Sequence, residues 1–414
     1  FFSPLLSAAA EEPGWAGPST RQLAYSPRCE SRILPTIQMS ALETVKSAGK
    51  YVVYFAITIG VIGQVWPTLF LRLPMGFIPW AITGNVMPPY FDPTPFGADE
   101  FGTWAKDGDL IAAVGAKSGT NWMLYTAHQI RTKAKGSVET DYTDILLDTP
   151  WIGFNMLPGQ RWGDTLLTSG IKTLMKTAVL PDGTRVKDYW DKPSYPFRIF
   201  KSHFTPEVLP IKAYPKVKFL AMARNGMDVV NSFYPFFASH RPSFKSRWGD
   251  FPPTYGSPME CLNDFLPGGT LAGLYFGYVK EWWPWRHESN VLLLHYTDAK
   301  KDLGAVISKL AKFLDVQLLP WQSARVRTRA NIRQMKQIAH KFDYTQWAGD
   351  GSKIMCGKDG CPGIDGALIR TGKVGGGKAF FTPEMTALWD AAVEKEFGSD
   401  PELKRWAAKG GRFS

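Results

Sequence analysis

The chain holds 414 residues, with 48 Lys+Arg against 37 Asp+Glu, a formal net charge of +11 and 44% hydrophobic residues that include 16 Trp. That much apolar surface excludes a disordered chain. Its 4 Cys exclude a disulfide scaffold, and the absence of repeats and heptads excludes solenoids and coiled coils. The positive surplus suggests an anionic partner, either a phosphate-bearing small molecule, a nucleic acid or a membrane surface, or else it serves solubility alone.

Residues 1–38 are rich in Pro, Ser, Ala and Gly without periodicity, and read as linker, targeting remnant or untranslated sequence, with Met39 a candidate start. Residues 1–50 thus form an extension, 51–73 a hydrophobic helix, and 85–414 the main domain. No charge occurs from Tyr51 to Leu71, between Lys50 and Arg72. A helix of that length spans a hydrocarbon core. Gln64 and Pro67 interrupt it and both flanks are basic, so a membrane anchor and a buried core helix both stay open.

Beyond Pro88-Pro89, short apolar runs alternate with helical stretches. Strands are predicted over 109–114, 197–200, 216–223 and 291–294, and helices over 120–133, 227–238, 270–287 and 298–314. This alternation implies an α/β fold: a three-layer sandwich with a central parallel sheet. Ligands in such sheets bind beyond the carboxyl ends of the strands, so motifs there carry most weight.

Directly after the first strand comes Gly115-Ala116-Lys117-Ser118-Gly119-Thr120-Asn121-Trp122. A strand, a small-residue turn with a lysine and a helix N-terminus make a P-loop-like phosphate cradle, in which amides and the helix dipole favour anions and Lys117 adds charge. The spacing is not Walker A, where the lysine follows the second glycine, which weighs against a nucleotide triphosphatase. The structural alternative is an ordinary βα turn with a solvated lysine.

Further motifs follow in order: Arg198-Ile199-Phe200-Lys201-Ser202-His203 with Leu209-Pro210, then Ala223-Arg224-Asn225-Gly226-Met227-Asp228-Val229-Val230-Asn231-Ser232. Tyr275 to Trp283, Tyr296-Thr297-Asp298-Ala299-Lys300 and Arg370-Thr371-Gly372-Lys373-Val374-Gly375 complete the set. Together with Lys117 to Trp122, these resemble the sulfotransferases that use 3′-phosphoadenosine 5′-phosphosulfate (PAPS), over about residues 90 to 397.

The resemblance implies PAPS as co-substrate, 3′-phosphoadenosine 5′-phosphate (PAP) as product, and no metal requirement. It assigns the 5′-phosphosulfate cradle to Lys117, Ser118, Gly119, Thr120 and the adjoining Asn121, with Lys117 neutralising the departing oxygen. Arg224 and Ser232 match the 3′-phosphate contacts, and Arg224 can fork onto phosphate oxygens. Trp122 and Tyr296 match adenine contacts. Arg370, Thr371 and Gly372 match the loop that closes over the 3′-phosphate. His203 is the candidate general base, and Lys201, two positions earlier on a strand, points to the same face. Catalysis would then rest on His203, Lys117 and Lys201. The other histidines, His128, His240, His287, His295 and His340, read as structural or surface groups.

Some positions depart from the family pattern. Thr371 stands where the family usually has Lys, and Ala330 to Met335 keeps only Met335 of an adenine-side segment. The family's dimer motif is half matched by Lys378, Thr382 and Pro383 with Ala387 at the acidic position, which leaves a homodimer open. Cys356 and Cys361 read as free surface thiols, with a short loop disulfide as the alternative. The resemblance implies a small-molecule hydroxyl acceptor, lipid-like if 51–71 is an anchor, and no nucleic acid. Phe233 to Phe237 suggests an apolar acceptor mouth, although such clusters are more often core. The catalytic domain is placed in the cytoplasm by default. Competing classes are a P-loop kinase using ATP, and an inactive anion-binding, membrane-associated protein.

Overall fold

A computed structural model describes residues 91–154, 184–247, 252–342, 355 and 368–412. All of them fall in one unit running from Ile78 to Ser414. The apolar run 51–71, Met39, Cys356 and Cys361 lie outside the described residues. Among those described, no helix is long and apolar enough to cross a membrane.

Four strands, β1 (Leu110–Ala112), β2 (Ile199–Lys201), β3 (Lys218–Ala223) and β4 (Val291–His295), form a sheet of order β2-β1-β3-β4. All neighbours are parallel, with Ile111 opposite Phe200 on one side and Phe219 on the other. The strands are continuous apolar runs because both faces are buried. Leu110, Ala112, Leu220, Met222, Leu292 and Leu294 pack into one core. Ile111, Phe219, Ala221 and Leu293 are equally buried, and Phe200 meets Trp104 at 5.1 Å on the face away from that core. At the amino ends, Arg198 forks onto Asp109 (2.9 and 2.5 Å) and donates to Trp104 O (2.7 Å), fixing the β1–β2 register.

The first core takes helices α1 (Thr120–Arg131), α4 (Leu303–Phe313) and α5 (Pro320–Arg329). Helix α2 (Gly226–Ala238) follows β3, and α3 (Tyr296–Lys301) follows β4. Beyond α5 come α6 (Ile332–Gln337), α7 (Gly376–Phe380), α8 (Pro383–Phe397) and α9 (Pro401–Lys409).

Two predicted helices are broken. The stretch 270–287 is a 3-10 turn Ala272–Leu274, a short helix Phe276–Trp282 and a second turn Trp283–Trp285. Gly273 loosens its start and Pro284 lacks the amide to continue it. The stretch 298–314 divides at Asp302, whose extended backbone ends α3 while its carboxylate caps α4 at Ala305 N (2.9 Å).

Candidate active site

Every strand delivers a chemically useful residue at its carboxyl end. The loop after β1 carries Lys117, β2 ends at Lys201 with His203 beyond, β3 leads into Arg224, and β4 leads into Tyr296.

The loop after β1 folds back through Ser118 N to Gly115 O (3.0 Å) and Gly115 N to Met222 O (3.1 Å). Gly119 (φ 101°) needs its missing side chain: a Cβ there would lie 2.7 Å from Met222 Cε and 3.0 Å from the Tyr296 ring. Lys117 also adopts a left-handed backbone (φ 59°), a sparsely populated state that marks functional loops. Thr120, at the first turn of α1, buries an Oγ1 with no hydrogen-bond partner, and Asn121 beside it is partly exposed.

The cations here face one another. Desolvation, reinforced by Arg224 and Arg370, holds the Lys117 ammonium down to about 7. Burial and then Lys117 push Lys201 well below its usual range; its side chain is almost fully enclosed. Each ammonium lies over an aromatic face: Lys117 Nζ is 3.7 Å from the Phe236 ring centre, and Lys201 Nζ is 3.3 Å from that of Trp151. Arg224 donates to Lys117 O (3.2 Å) and Lys373 O (2.9 Å), lies 3.6 Å from the Asp228 carboxylate and over Tyr296 at 4.6 Å, and keeps a buried Nε without a hydrogen-bond partner.

His203 donates from Nδ1 to Val114 O (2.6 Å), because a carbonyl only accepts. Nε2 is therefore the ring's lone-pair nitrogen. Burial, then Lys201, lowers this imidazole to about 3, with Lys117 adding to the effect against the raising Val114 bond. It is neutral near pH 7. Around it stand Trp151, edge-on at 5.1 Å, and Phe91 at 6.5 Å; Trp151 stacks on Phe154 at 4.1 Å.

Asp228 receives Gly375 N (2.9 Å) and Gly377 N (2.7 Å), drawing the segment after Arg370 onto α2. Arg370 donates to Asn231 O (3.4 Å), and Gly372 (φ 60°) lies against Ile332. Trp122 donates to Ala330 O (2.8 Å) and meets Tyr296 edge-on at 5.4 Å. The departure at 330–335 thus leaves this contact intact, since a backbone carbonyl makes it. Lys117, Lys201, His203, Arg224, Arg370, Trp122 and Tyr296 are brought together. Ser232 is partly buried on α2 and Thr371 is exposed, and among the described residues neither bonds to the cluster.

Two members escaped the sequence. Trp151 belongs to no motif and is signalled only by the preceding Pro150. Phe236 lies in the aromatic run 233–237, which divides: Phe233 and Phe237 are core, while Phe236 remains accessible beneath Lys117. Of the other histidines, His128, His240 and His295 are buried and bonded to backbone, whereas His287 and His340 are exposed.

A family model described as the sulfotransferase domain matches residues 107–401. The chain belongs to the PAPS-dependent sulfotransferase family. It is 28% identical over 291 residues to sulfotransferase 1B1 of Mus musculus, covering 70% of this chain and 82% of that protein. It is 31% identical over 236 residues to sulfotransferase 1E1 of Homo sapiens, covering 56% and 67%. Among solved structures, retinol dehydratase in complex with androsterone and inactive cofactor PAP shares the fold (TM-score 0.50, 20% identity, 71% of this chain and 81% of that one). The carboxyl-end cluster is accordingly the place to look for a sulfotransferase's chemistry.

Proposed function

We propose that this sulfotransferase moves the sulfuryl group of PAPS to the hydroxyl of an apolar small molecule, with His203 as general base. The supporting observation is the His203 ring itself: Nδ1 is committed to Val114 O, so a neutral Nε2 stands beside two enclosed lysines. The site suits a multiply charged anion. Mutually repelling cations, the unpartnered Thr120 Oγ1 and the unpartnered Arg224 Nε are groups that phosphate oxygens would satisfy.

Bound PAPS supplies an activated sulfuryl group on a phosphate leaving group. Lys117, Ser118, Gly119, Thr120 and Asn121 hold the 5′ end, and Arg224, Ser232, Arg370, Thr371 and Gly372 the 3′-phosphate. Trp122 and Tyr296 wall the base. Nε2 of His203 takes the acceptor hydroxyl's proton as its oxygen bonds to sulfur. The Lys117 ammonium offsets the negative charge developing on the departing oxygen, and Lys201 offsets charge on the group in transfer. Phe91, Trp151 and Phe154 line the side from which a hydroxyl reaches His203 and favour an apolar acceptor. The androsterone and retinol complexes of retinol dehydratase agree with that class.

Thermal-shift titration with PAP and ATP, followed by labelled-sulfate transfer from PAPS to hydrophobic alcohols, tests this. PAP should raise the midpoint more than ATP, and at least one alcohol should be sulfated. Stronger, Mg²⁺-dependent stabilisation by ATP would replace the reading with a kinase. PAP binding without turnover on any acceptor would leave a non-catalytic anion binder.

A further inference from the structure

The site cations account for only part of the positive surplus. From Val316 to Phe342 the sequence contains no Asp or Glu but carries Arg325, Arg327, Arg329, Arg333, Lys336 and Lys341. Two of these serve the fold: Arg329 donates to Gln129 Oε1 (3.0 Å), and Lys341 to Tyr142 O (2.7 Å). The other four are exposed. Arg325 also donates to Ala134 O (3.3 Å), joining this surface to the turn that carries Lys133 and Lys135.

At its tip stand Leu319 and Trp321, 54% and 55% exposed, two of the four exposed large hydrophobics among the described residues. The Arg325 guanidinium lies 5.6 Å from the Trp321 ring centre. The nearby exposed acids among the described residues are Glu139, beside Lys341, Asp302, which caps α4, and Asp315, which precedes the stretch and pairs with Lys218.

We propose that this face of α5 and α6 docks on an anionic phospholipid surface, with Trp321 and Leu319 entering the headgroup region and the arginines meeting lipid phosphates. Indole and aliphatic side chains both gain from an interfacial environment, and basic residues around them gain from anionic headgroups. A nucleic acid would use the cations but has no place for Leu319, which lacks a π-face. A two-fold contact between copies would set this cationic face against itself. Helix α5 is followed by its capping residue Ala330, whose carbonyl receives the Trp122 indole, so the face adjoins a wall of the active site.

Co-sedimentation of the full chain tests this, using vesicles of phosphatidylcholine alone and of two parts phosphatidylcholine to one part phosphatidylserine. The protein should pellet with the anionic vesicles only, and raised salt should weaken retention. Arg325→Glu/Arg327→Glu and, separately, Leu319→Ser/Trp321→Ser should each lower the bound fraction at limiting lipid by about tenfold, with unchanged thermal midpoints. Equal binding to neutral vesicles, or binding indifferent to both double variants, overturns the proposal and moves any membrane affinity to another segment such as 51–71. Duplex DNA that is bound equally well by the native chain and by Leu319→Ser/Trp321→Ser, and that displaces both from anionic vesicles, overturns it in favour of a general polyanion face. So does a concentration-dependent dimer abolished by Trp321→Ser, in favour of a second copy.

Discussion

Two regions of this molecule bury several charges, and they do so in opposite ways. Beneath α1, each charge meets a group of opposite sign or complementary polarity. Asp141 receives Gln129 Nε2 (2.7 Å) and Arg329 Nη1 (3.3 Å), and Asp148 receives Thr143 N (2.6 Å) and the Tyr189 hydroxyl (2.9 Å). Arg131 donates to His128 Nδ1 (2.7 Å), so His128 Nε2 carries the proton and donates to Asp141 O (2.7 Å). At the carboxyl end of the sheet, Arg224 and Arg370 instead disfavour the charged form of Lys117, although Arg224 itself lies 3.6 Å from the Asp228 carboxylate. The first region sets opposite signs together, although Arg131 Nε keeps no hydrogen-bond partner; the second sets like charges around Lys117 and suits an arriving anion. Desolvated like charges are tolerated when ligand binding compensates them.

The largest test of that contrast is catalytic. His203→Ala should cut sulfuryl transfer roughly 10²–10⁴-fold, and Lys117→Ala roughly 10²–10³-fold, with no loss of fold. Normal rates in either variant would remove the site from the reaction. Next comes stability, where the regions should respond with opposite signs. Arg131→Met removes the guanidinium 3.8 Å from the buried Asp148 carboxylate and should lose about 3–5 kcal/mol in denaturant unfolding, whereas Lys117→Met should stabilise the ligand-free protein while slowing turnover. Parallel losses in both variants would break the comparison.

Protons give a smaller signal. Lys117 sits at about 7 in the fold against a free value of 10.5, so the unfolded chain binds more protons between those limits. Its contribution to ligand-free stability is present above 10.5 and lost as pH falls toward 7. An anionic ligand restores the charge, so PAP binding near pH 8 should take up a proton. Calorimetry in buffers of different ionisation enthalpy would register this, and Lys117→Ala should erase it. The histidines act at lower pH: His203 and His240 at about 3 and His295 at about 4 all lie below the free value of 6.5. Their stabilisation is complete above 6.5 and lost as pH falls toward 3–4, which an acid titration of the melting midpoint would follow.

The smallest effect concerns the base-binding wall. Trp122→Phe keeps an aromatic face but loses the bond to Ala330 O. PAP affinity should fall by a few-fold. A loss of a hundredfold or more in isothermal titration would mean that the bond to Ala330 O, which holds the ring in place, matters more than the aromatic face itself.

How much of this was legible in the sequence depends on whether the signal was local. The strands were readable from apolar runs, to within a few residues, and so was the loop after β1, because a Gly-Ala-Lys-Ser-Gly-Thr turn between strand and helix has few other uses. The alternation of Lys201 and His203 placed both at one strand end. The β2-β1-β3-β4 order was not readable, since parallel partners lie far apart in the chain. The Asp302 break went unseen because a single capping aspartate leaves the apolar periodicity undisturbed. Trp151 and Phe236 were missed as resting places for the lysines because an aromatic face beneath a cation is made by tertiary packing and carries no spacing of its own.

The Asp109–Arg198 fork has a consequence in time. Its partners are 89 residues apart, and β1 finds both of its neighbours only later in the chain. A ribosome adding ~5–20 residues per second needs roughly 5–20 s to bring Arg198 out after Asp109. Through that interval β1 is an apolar segment with two open edges and a carboxylate without its counter-ion. An open apolar edge is a template for pairing with another molecule, so the interval before β2 emerges is when aggregation competes with folding.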